Sequence, residues 1–113
     1  MPVRSTFAGG SARGFSSRPQ YTVCATANEN GNAVMIAPAG TIFKSVVFAS
    51  YGTPSGTCGS FSIGGCHATN STTIVSGYLI GNGGTINVPA TNAVFGDPCS
   101  GTGKQLYIQA IAS

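Results

Sequence analysis

Four cysteines, far apart in a short glycine-rich chain, constrain the fold more than any other feature: Cys24, Cys58, Cys66 and Cys99. An even number of cysteines in a domain of this size predicts disulfides and an oxidising compartment, and four cysteines allow three pairings. Free buried thiols are the alternative if the protein stays in the cytoplasm.

Zinc is a further alternative for the four cysteines. Structural zinc sites usually take two ligands from one short knuckle, whereas seven residues separate the closest pair, Cys58 and Cys66. His67 directly follows Cys66, and neighbours in an extended segment point to opposite faces, so it does not complete a ligand set. We therefore expect neither a metal ion nor another cofactor.

Ionic groups are scarce in the chain. Charged residues make up 6% of its 113 residues, against roughly 25% in average soluble domains, while 42% are apolar. This composition excludes a solvated helical bundle and a charge-driven disordered chain, and it favours one compact β-rich domain. The sequence contains no run of eighteen apolar residues and no apolar leader segment within residues 1–20, which predicts neither a membrane span nor an ordinary signal peptide.

The net charge of +3 is concentrated at the N-terminus. Three arginines, and no acid, precede residue 20: Arg4, Arg13 and Arg18. The rest of the chain holds two cations and two acids: Lys44, Lys104, Glu29 and Asp97. Because a nucleic-acid reader needs a basic face to neutralise phosphates, we expect no nucleic-acid partner.

Residues 1–20 are interpreted as an N-terminal arm that precedes a domain over residues 21–113. A solvated terminus is one interpretation of this arm. The other is an extended docking arm, in which Phe7 and Phe15 act as apolar anchors on a glycine- and serine-rich tether. The second interpretation predicts self-association through these phenylalanines and the three arginines.

Apolar patterning predicts a mainly β fold with at most one short helix. Strands are expected at 21–24, 34–36, 41–50, 85–88 and 104–111, the last with alternating apolar residues. Residues 28–32 predict a turn, and residues 52–65 carry too many glycines for a helix and predict a long loop crossed by cysteines. Residues 72–80 fit either a short helix or a strand.

Catalytic motifs are missing from the sequence. Glu29 and Asp97 are its only carboxylates, and no nucleophile elbow of the G-x-S-x-G type is present. The segment Ser100–Lys104 is similar to a phosphate-binding loop, but Pro98 stands where that motif needs its first glycine. We expect the chain not to be an enzyme.

A more specific signal lies in residues 88–106, which read Val-Pro-Ala-Thr-Asn-Ala-Val-Phe-Gly-Asp-Pro-Cys-Ser-Gly-Thr-Gly-Lys-Gln-Leu. Together with the earlier Tyr51–Gly52 pair, this segment resembles the rhamnose- and galactose-binding lectin family first seen in sea-urchin egg lectin and found in latrophilin ectodomains. The resemblance runs from about residue 24 to residue 111. It implies a small antiparallel β-sandwich of lectin type, held by disulfides.

The resemblance also implies a disulfide pairing. Family members usually carry eight cysteines, and the four here look like the first, third, fourth and seventh. In the family the first pairs with the third and the fourth with the seventh, which implies the bonds Cys24–Cys58 and Cys66–Cys99. Ile80 and Ile86 stand at the positions of the family's fifth and sixth cysteines, which form a disulfide that this chain lacks. We expect an apolar contact between the two isoleucines in its place.

Five residues of this chain match sugar-site positions or supply the matching chemistry: Tyr51, Gly52, Asn92, Asp97 and Lys104. The resemblance implies that the asparagine and the aspartate accept sugar hydroxyls; from the chemistry of the residues, the lysine donates and the tyrosine ring offers an apolar surface. Each also has a purely structural interpretation, as a turn residue, a packed aromatic residue or a solubilising charge.

Two family positions are changed in this chain. Ala25 replaces an acid that follows the first cysteine, and Thr53 replaces an arginine after Tyr-Gly. Glu29 is a possible substitute for the lost acid, although the sequence does not place it. The pocket is therefore either a weakened sugar site or a vestigial one.

The function expected from these features is a non-catalytic carbohydrate-binding module that binds a glycan and acts in a multimer, because avidity compensates for weak single sites. The alternative is a structural subunit of an extracellular fibre or virion, linked through the N-terminal arm. Either function places the protein outside the cell or on a virion surface. Asn70 begins an Asn-Ser-Thr glycosylation sequon.

Overall fold

Two antiparallel sheets and two helices form the fold of residues 19–113, the part of the chain that the computed structural model describes. The strands are β1 (Tyr21–Asn28), β2 (Asn32–Ile36), β3 (Phe43–Gly52), β4 (Thr85–Pro89) and β5 (Gln105–Ala112), and the helices are α1 (Ser71–Leu79) and α2 (Asn92–Phe95). One sheet has the order β1-β5-β3 and the other pairs β2 with β4. The mainly β prediction is confirmed. The predicted docking arm, including Phe7 and Phe15, lies outside the described residues.

Strand β5 is the centre of the three-stranded sheet, paired with β1 on one side and β3 on the other. Its residues alternate as predicted: Leu106, Ile108 and Ala110 are fully buried, and the residues between them are half-buried. A strand with a neighbour on each side and one face in the core shows this two-residue period. Its first residue, Gln105, therefore lies at a fixed end of the sheet, directly after Lys104.

One core joins both sheets and α1. Met35 on β2, Val88 on β4 and Phe43 on β3 are fully buried in it, together with Val75 and Leu79 of α1. Because β2 and β4 form only a two-stranded sheet, they need this packing to be stable. The β1-to-β2 connection links the two sheets and turns at Asn30, whose φ is 72°.

Residues 19–113 contain two helices, where the sequence predicts at most one. In α1 the buried residues Ser71, Val75 and Leu79 recur every four positions and form one face, so packing decides the conformation against the poor helix propensity of its β-branched residues. Helix α2 is a single turn whose N-cap, Thr91, accepts a hydrogen bond from the Val94 backbone N–H at 3.3 Å. One turn is too short to leave a periodic pattern in the sequence.

Two disulfides hold the long loop between β3 and α1. Cys24 of β1 is bonded to Cys58, with Cα atoms 5.9 Å apart, and Cys66 is bonded to Cys99, with Cα atoms 6.1 Å apart. These are the pairs that the family resemblance implies, and all four cysteines are used. The first bond ties the loop to the three-stranded sheet, and the second ties it to the segment that leads from α2 to β5.

The two isoleucines at the place of a lost bridge differ in environment. Ile86 packs against the core, whereas Ile80 is exposed. Within residues 19–113, neither helix is long and apolar enough to cross a membrane.

Reduction of the disulfides is expected to unfold the domain. The bonds join residues 34 and 33 positions apart, and loops of that length correspond to roughly 3 to 4 kcal/mol of stabilisation per bond. Paired cysteine-to-alanine variants, one for each bond, should each lose that amount in urea titrations followed by circular dichroism. An unfolding midpoint that a reductant leaves unchanged would contradict this expectation.

Gly52 is expected to tolerate no side chain. It is buried at the end of β3, and a Cβ there would overlap the backbone carbonyl of Cys66. Gly52→Ala should therefore lower the free energy of unfolding by about 1 to 3 kcal/mol. Gly77→Ala is the matched control, because Gly77 lies on α1 with open space around it and alanine should raise stability by about 0.5 to 1 kcal/mol. Equal effects of the two substitutions would refute the steric argument.

Candidate functional site

Lys104 is a buried cation at the end of the three-stranded sheet. Only 4% of the residue is exposed, and its ammonium lies 3.0 Å from Oδ1 of Asp97 and 3.6 Å from Oε1 of Glu29. The ammonium also donates to the backbone carbonyls of Thr102, at 2.9 Å, and Cys99, at 3.4 Å. A buried charge needs such partners, and Lys104 finds them in two segments of the chain, at Glu29 and within residues 97–102.

Glu29 reaches this cluster because β1 and β5 are paired up to their ends. Its backbone N–H donates to the Lys104 carbonyl at 2.9 Å, and its Oε1 accepts the Lys104 backbone N–H at 3.0 Å. The side chain is about one-quarter exposed, and Oε2 has no hydrogen bond to the described residues. Glu29 therefore supplies a fixed carboxylate with a free oxygen, a placement that the sequence leaves open.

The hydrogen bond that the Lys104 ammonium donates to Asp97 raises the pKa of the ammonium above its ordinary value of 10.5. Burial acts in the opposite direction, and the charges of Asp97 and Glu29 add to the upward shift. The cation therefore persists throughout the neutral range.

Tyr51 is fully buried and does not present its ring to solvent. The ring is stacked on Phe95, with centroids 4.9 Å apart, and the hydroxyl donates to Oδ1 of Asn92 at 2.6 Å. Burial, followed by the charge of Glu29, raises the pKa of this hydroxyl above its ordinary value of 10.0, so it keeps the proton that it donates. The expected open aromatic surface is absent from Tyr51, which instead positions Asn92.

Asn92 is exposed at the first position of α2. The Tyr51 hydroxyl takes one of the two acceptor positions of Oδ1, and the amide NH₂ of Asn92 has no hydrogen bond to the described residues. The predicted role of Asn92 as an acceptor for a ligand hydroxyl stays a prediction.

A cleft of about 420 Å³ lies beside the charge cluster. Glu29, Lys104 and Gly103 line it, together with the segment Gly52–Pro54. A side chain at residue 52 would overlap the Cys66 backbone, so this wall of the cleft needs a glycine. The neighbouring Thr53 hydroxyl accepts a hydrogen bond from the Cys66 backbone N–H at 3.1 Å. The cleft thus combines a carboxylate oxygen and polar backbone with the edge of Pro54, which is itself buried.

The other predicted site residues lie around this cleft or away from it. Asp97 lines a neighbouring cleft, and Asn70 lines that second cleft as well, with its side-chain amide donating to the Phe95 carbonyl at 3.3 Å. Ala25 lies at neither, because it lines a surface beside the Cys24–Cys58 disulfide. The loss of an acid at residue 25 therefore leaves the charge cluster intact. Across residues 19–113, no three histidine, cysteine or acidic side chains come close enough to hold a metal ion.

Stability should fall at strongly alkaline pH through Lys104 and Tyr51. Both folded-state pKa values are raised, so each contribution is fully present below the ordinary pKa, 10.5 and 10.0 respectively, and is lost as the pH rises through the folded value. Melting temperatures measured between pH 7 and 12 should decrease above about pH 10, and Lys104→Met and Tyr51→Phe should each flatten the decrease. Identical pH profiles for the wild type and both variants would refute this assignment.

Comparison with known proteins identifies relatives of this domain. Residues 35–111 match the model of a D-galactoside/L-rhamnose binding SUEL lectin domain. Beta-galactosidase 8 of Arabidopsis thaliana is 45% identical over 72 residues, which are 64% of this chain and 8% of that protein. Beta-galactosidase 6 of Oryza sativa subsp. japonica is 39% identical over 66% of this chain and 8% of its own length. Beta-galactosidase 7 of the same plant is 46% identical over 63% of this chain and 9% of its own length.

The chain thus spans about a tenth of the length of these relatives, and the likeness concerns one region of each. The matched residues include the end of β2, all of β3 and β4, nearly all of β5, the Cys66–Cys99 disulfide, and Asp97 and Lys104 of the charge cluster. Because the family model covers more than half of the chain, the protein belongs to the D-galactoside/L-rhamnose binding SUEL lectin domain family, whose members are carbohydrate-binding, lectin-like modules.

Proposed function

We propose that this domain binds a neutral galactose- or rhamnose-type sugar in the cleft between the charge cluster and the Gly52–Pro54 segment. The observation that carries the proposal is the buried Lys104, which fixes Glu29 and Asp97 at the end of the sheet. Carboxylates held in this way accept hydroxyl hydrogen bonds without having to be ordered by the ligand, which lowers the entropic cost of binding.

Glu29 carries the polar recognition in this proposal. Its Oε1 is occupied by the Lys104 backbone, which leaves Oε2 to accept a sugar hydroxyl at the edge of the cleft. A charge-assisted hydrogen bond of this kind is the stronger class. Glu29 precedes the residues that match the family model, so this acceptor is supported by the contacts of this chain alone.

Lys104 acts mainly as an organiser of the cleft. Its ammonium has four oxygen neighbours within 3.6 Å, which already take up its three N–H groups. This assigns the donor role to other groups at the cleft, such as the backbone N–H of Gly103. Tyr51 and Pro54 are both buried, so recognition of the sugar in this proposal is mainly polar.

A shallow site with few charged contacts binds a single sugar weakly, which favours action in a multimer. Two disulfides and membership of a lectin family support an extracellular location for the domain. The alternative role as a fibre or virion subunit depends on the N-terminal arm, which lies outside residues 19–113, and stays a prediction. Beta-galactosidase activity is not proposed, because the match covers a small part of those relatives.

Glu29→Gln should weaken sugar binding roughly ten- to hundred-fold, because it replaces a charged acceptor with a neutral one of the same shape. Binding of methyl β-D-galactoside and methyl α-L-rhamnoside would be measured by NMR titration of the isotope-labelled protein. The control is Lys44→Gln, which changes an exposed charge near the opposite end of β3 and should leave both affinities unchanged. Absence of binding by the wild type, or equal binding by the Glu29 variant, would refute the proposed site.

A further inference from the structure

A second polar cleft adjoins the proposed sugar site. It has a volume of about 320 Å³ and is lined by His67, Asn70, Asp97 and the backbone around Phe95. Asp97 links the two clefts, because its Oδ1 lies 3.0 Å from the ammonium of Lys104, which lines the first. The ion pair is therefore a shared wall between them.

His67 is held in place by a buried hydroxyl. Ser50 is fully buried on β3, and its Oγ lies 2.8 Å from Nδ1 of His67. This bond leaves Nε2 with no hydrogen-bond partner among the described residues. Nε2 donates when Ser50 donates to Nδ1, and it accepts when the bond runs the other way. In both tautomers the imidazole is oriented and keeps one unpaired ring nitrogen.

Asn70 and Asp97 add two unpaired oxygens to the same cleft. The Asn70 amide donates to the Phe95 carbonyl at 3.3 Å, so its Oδ1 has no partner among residues 19–113. Asn70 is the N-cap residue of α1, yet its side chain makes no capping bond. In Asp97, Oδ1 faces Lys104 and Oδ2 is free, with 39% of the side chain exposed.

These groups have the chemistry of polyol recognition: two acceptor oxygens and an imidazole nitrogen, all held by bonds to other parts of the domain. Pre-positioned groups of this kind, converging on one concave surface, are typical of a ligand subsite. Asn70 and His67 each bind the rest of the fold through one polar side-chain atom, and that bond does not explain the placement of the second atom, which is unpaired among the described residues.

We propose that the second cleft is a subsite for an adjacent sugar unit, so that the ligand of this domain is an oligosaccharide that passes over the Lys104–Asp97 ion pair. This inference rests on the proposed function, because the first sugar occupies the Glu29 cleft. It predicts that affinity increases from one sugar unit to two, through hydrogen bonds to His67, Asn70 and Asp97.

The test compares monosaccharides with disaccharides on protein made without N-glycosylation, since a glycan on Asn70 would fill the same cleft. The probes are methyl β-D-galactoside and a panel of galactose disaccharides that differ in linkage. At least one disaccharide should bind the wild type about three- to tenfold more tightly, the effect of one or two neutral hydrogen bonds. Only that disaccharide should shift the NMR signals of the His67 ring and the Asn70 side-chain amide.

Asn70→Ala separates this inference from the proposed function. It should remove the added disaccharide affinity and leave monosaccharide binding unchanged, while Asn87→Ala, an exposed asparagine on β4, should change neither. Monosaccharide binding with no gain for any disaccharide, or a gain that Asn70→Ala does not reduce, overturns the subsite alone. Failure of the wild type to bind any of the probes overturns the proposed function and the subsite together.

Discussion

The buried ammonium of Lys104 makes the interactions on which the candidate site at this end of the domain depends. Removing a charge from water is costly unless opposite charges and hydrogen bonds replace the solvent, and here both carboxylates of the chain are recruited to do so. Glu29 follows β1, Asp97 follows α2, and Lys104 precedes β5. One cation thus joins the end of β1 to the distant loop between α2 and β5, and the Cys66–Cys99 bond ties the loop after β3 to them.

The sequence is informative where a feature is local or strongly periodic. The alternation of β5, the long loop after β3 and the mainly β character all follow from residue patterns. The disulfide pairs are implied by the family resemblance and agree with the structure. The sequence leaves α1 ambiguous because its β-branched residues favour a strand, whereas its buried residues recur at the spacing of a helix. Packing in the folded chain decides in favour of the helix.

The candidate site is less predictable because its roles depend on contacts between distant residues. Glu29 and Lys104 are 75 positions apart, and no short-range signal indicates that the paired ends of β1 and β5 bring them together. Tyr51 and Asn92 are named by the motif, but the tyrosine ring is buried in the core, and its hydroxyl takes one of the two acceptor positions of the asparagine oxygen. A motif can therefore identify which residues gather at a site while leaving open which of their atoms face a ligand.

The charge balance of the cluster also limits the kind of ligand that fits it. Two carboxylates and one ammonium leave a net charge of −1, and the unpaired oxygens of Glu29 and Asp97 face the two clefts. An acidic sugar would meet like charge at both clefts, and Lys104, the only lysine or arginine that lines either cleft within residues 19–113, is already saturated by its neighbours. A neutral polyol instead offers hydroxyl protons to those oxygens at no electrostatic cost. The same buried lysine that organises the site thereby selects against anionic ligands.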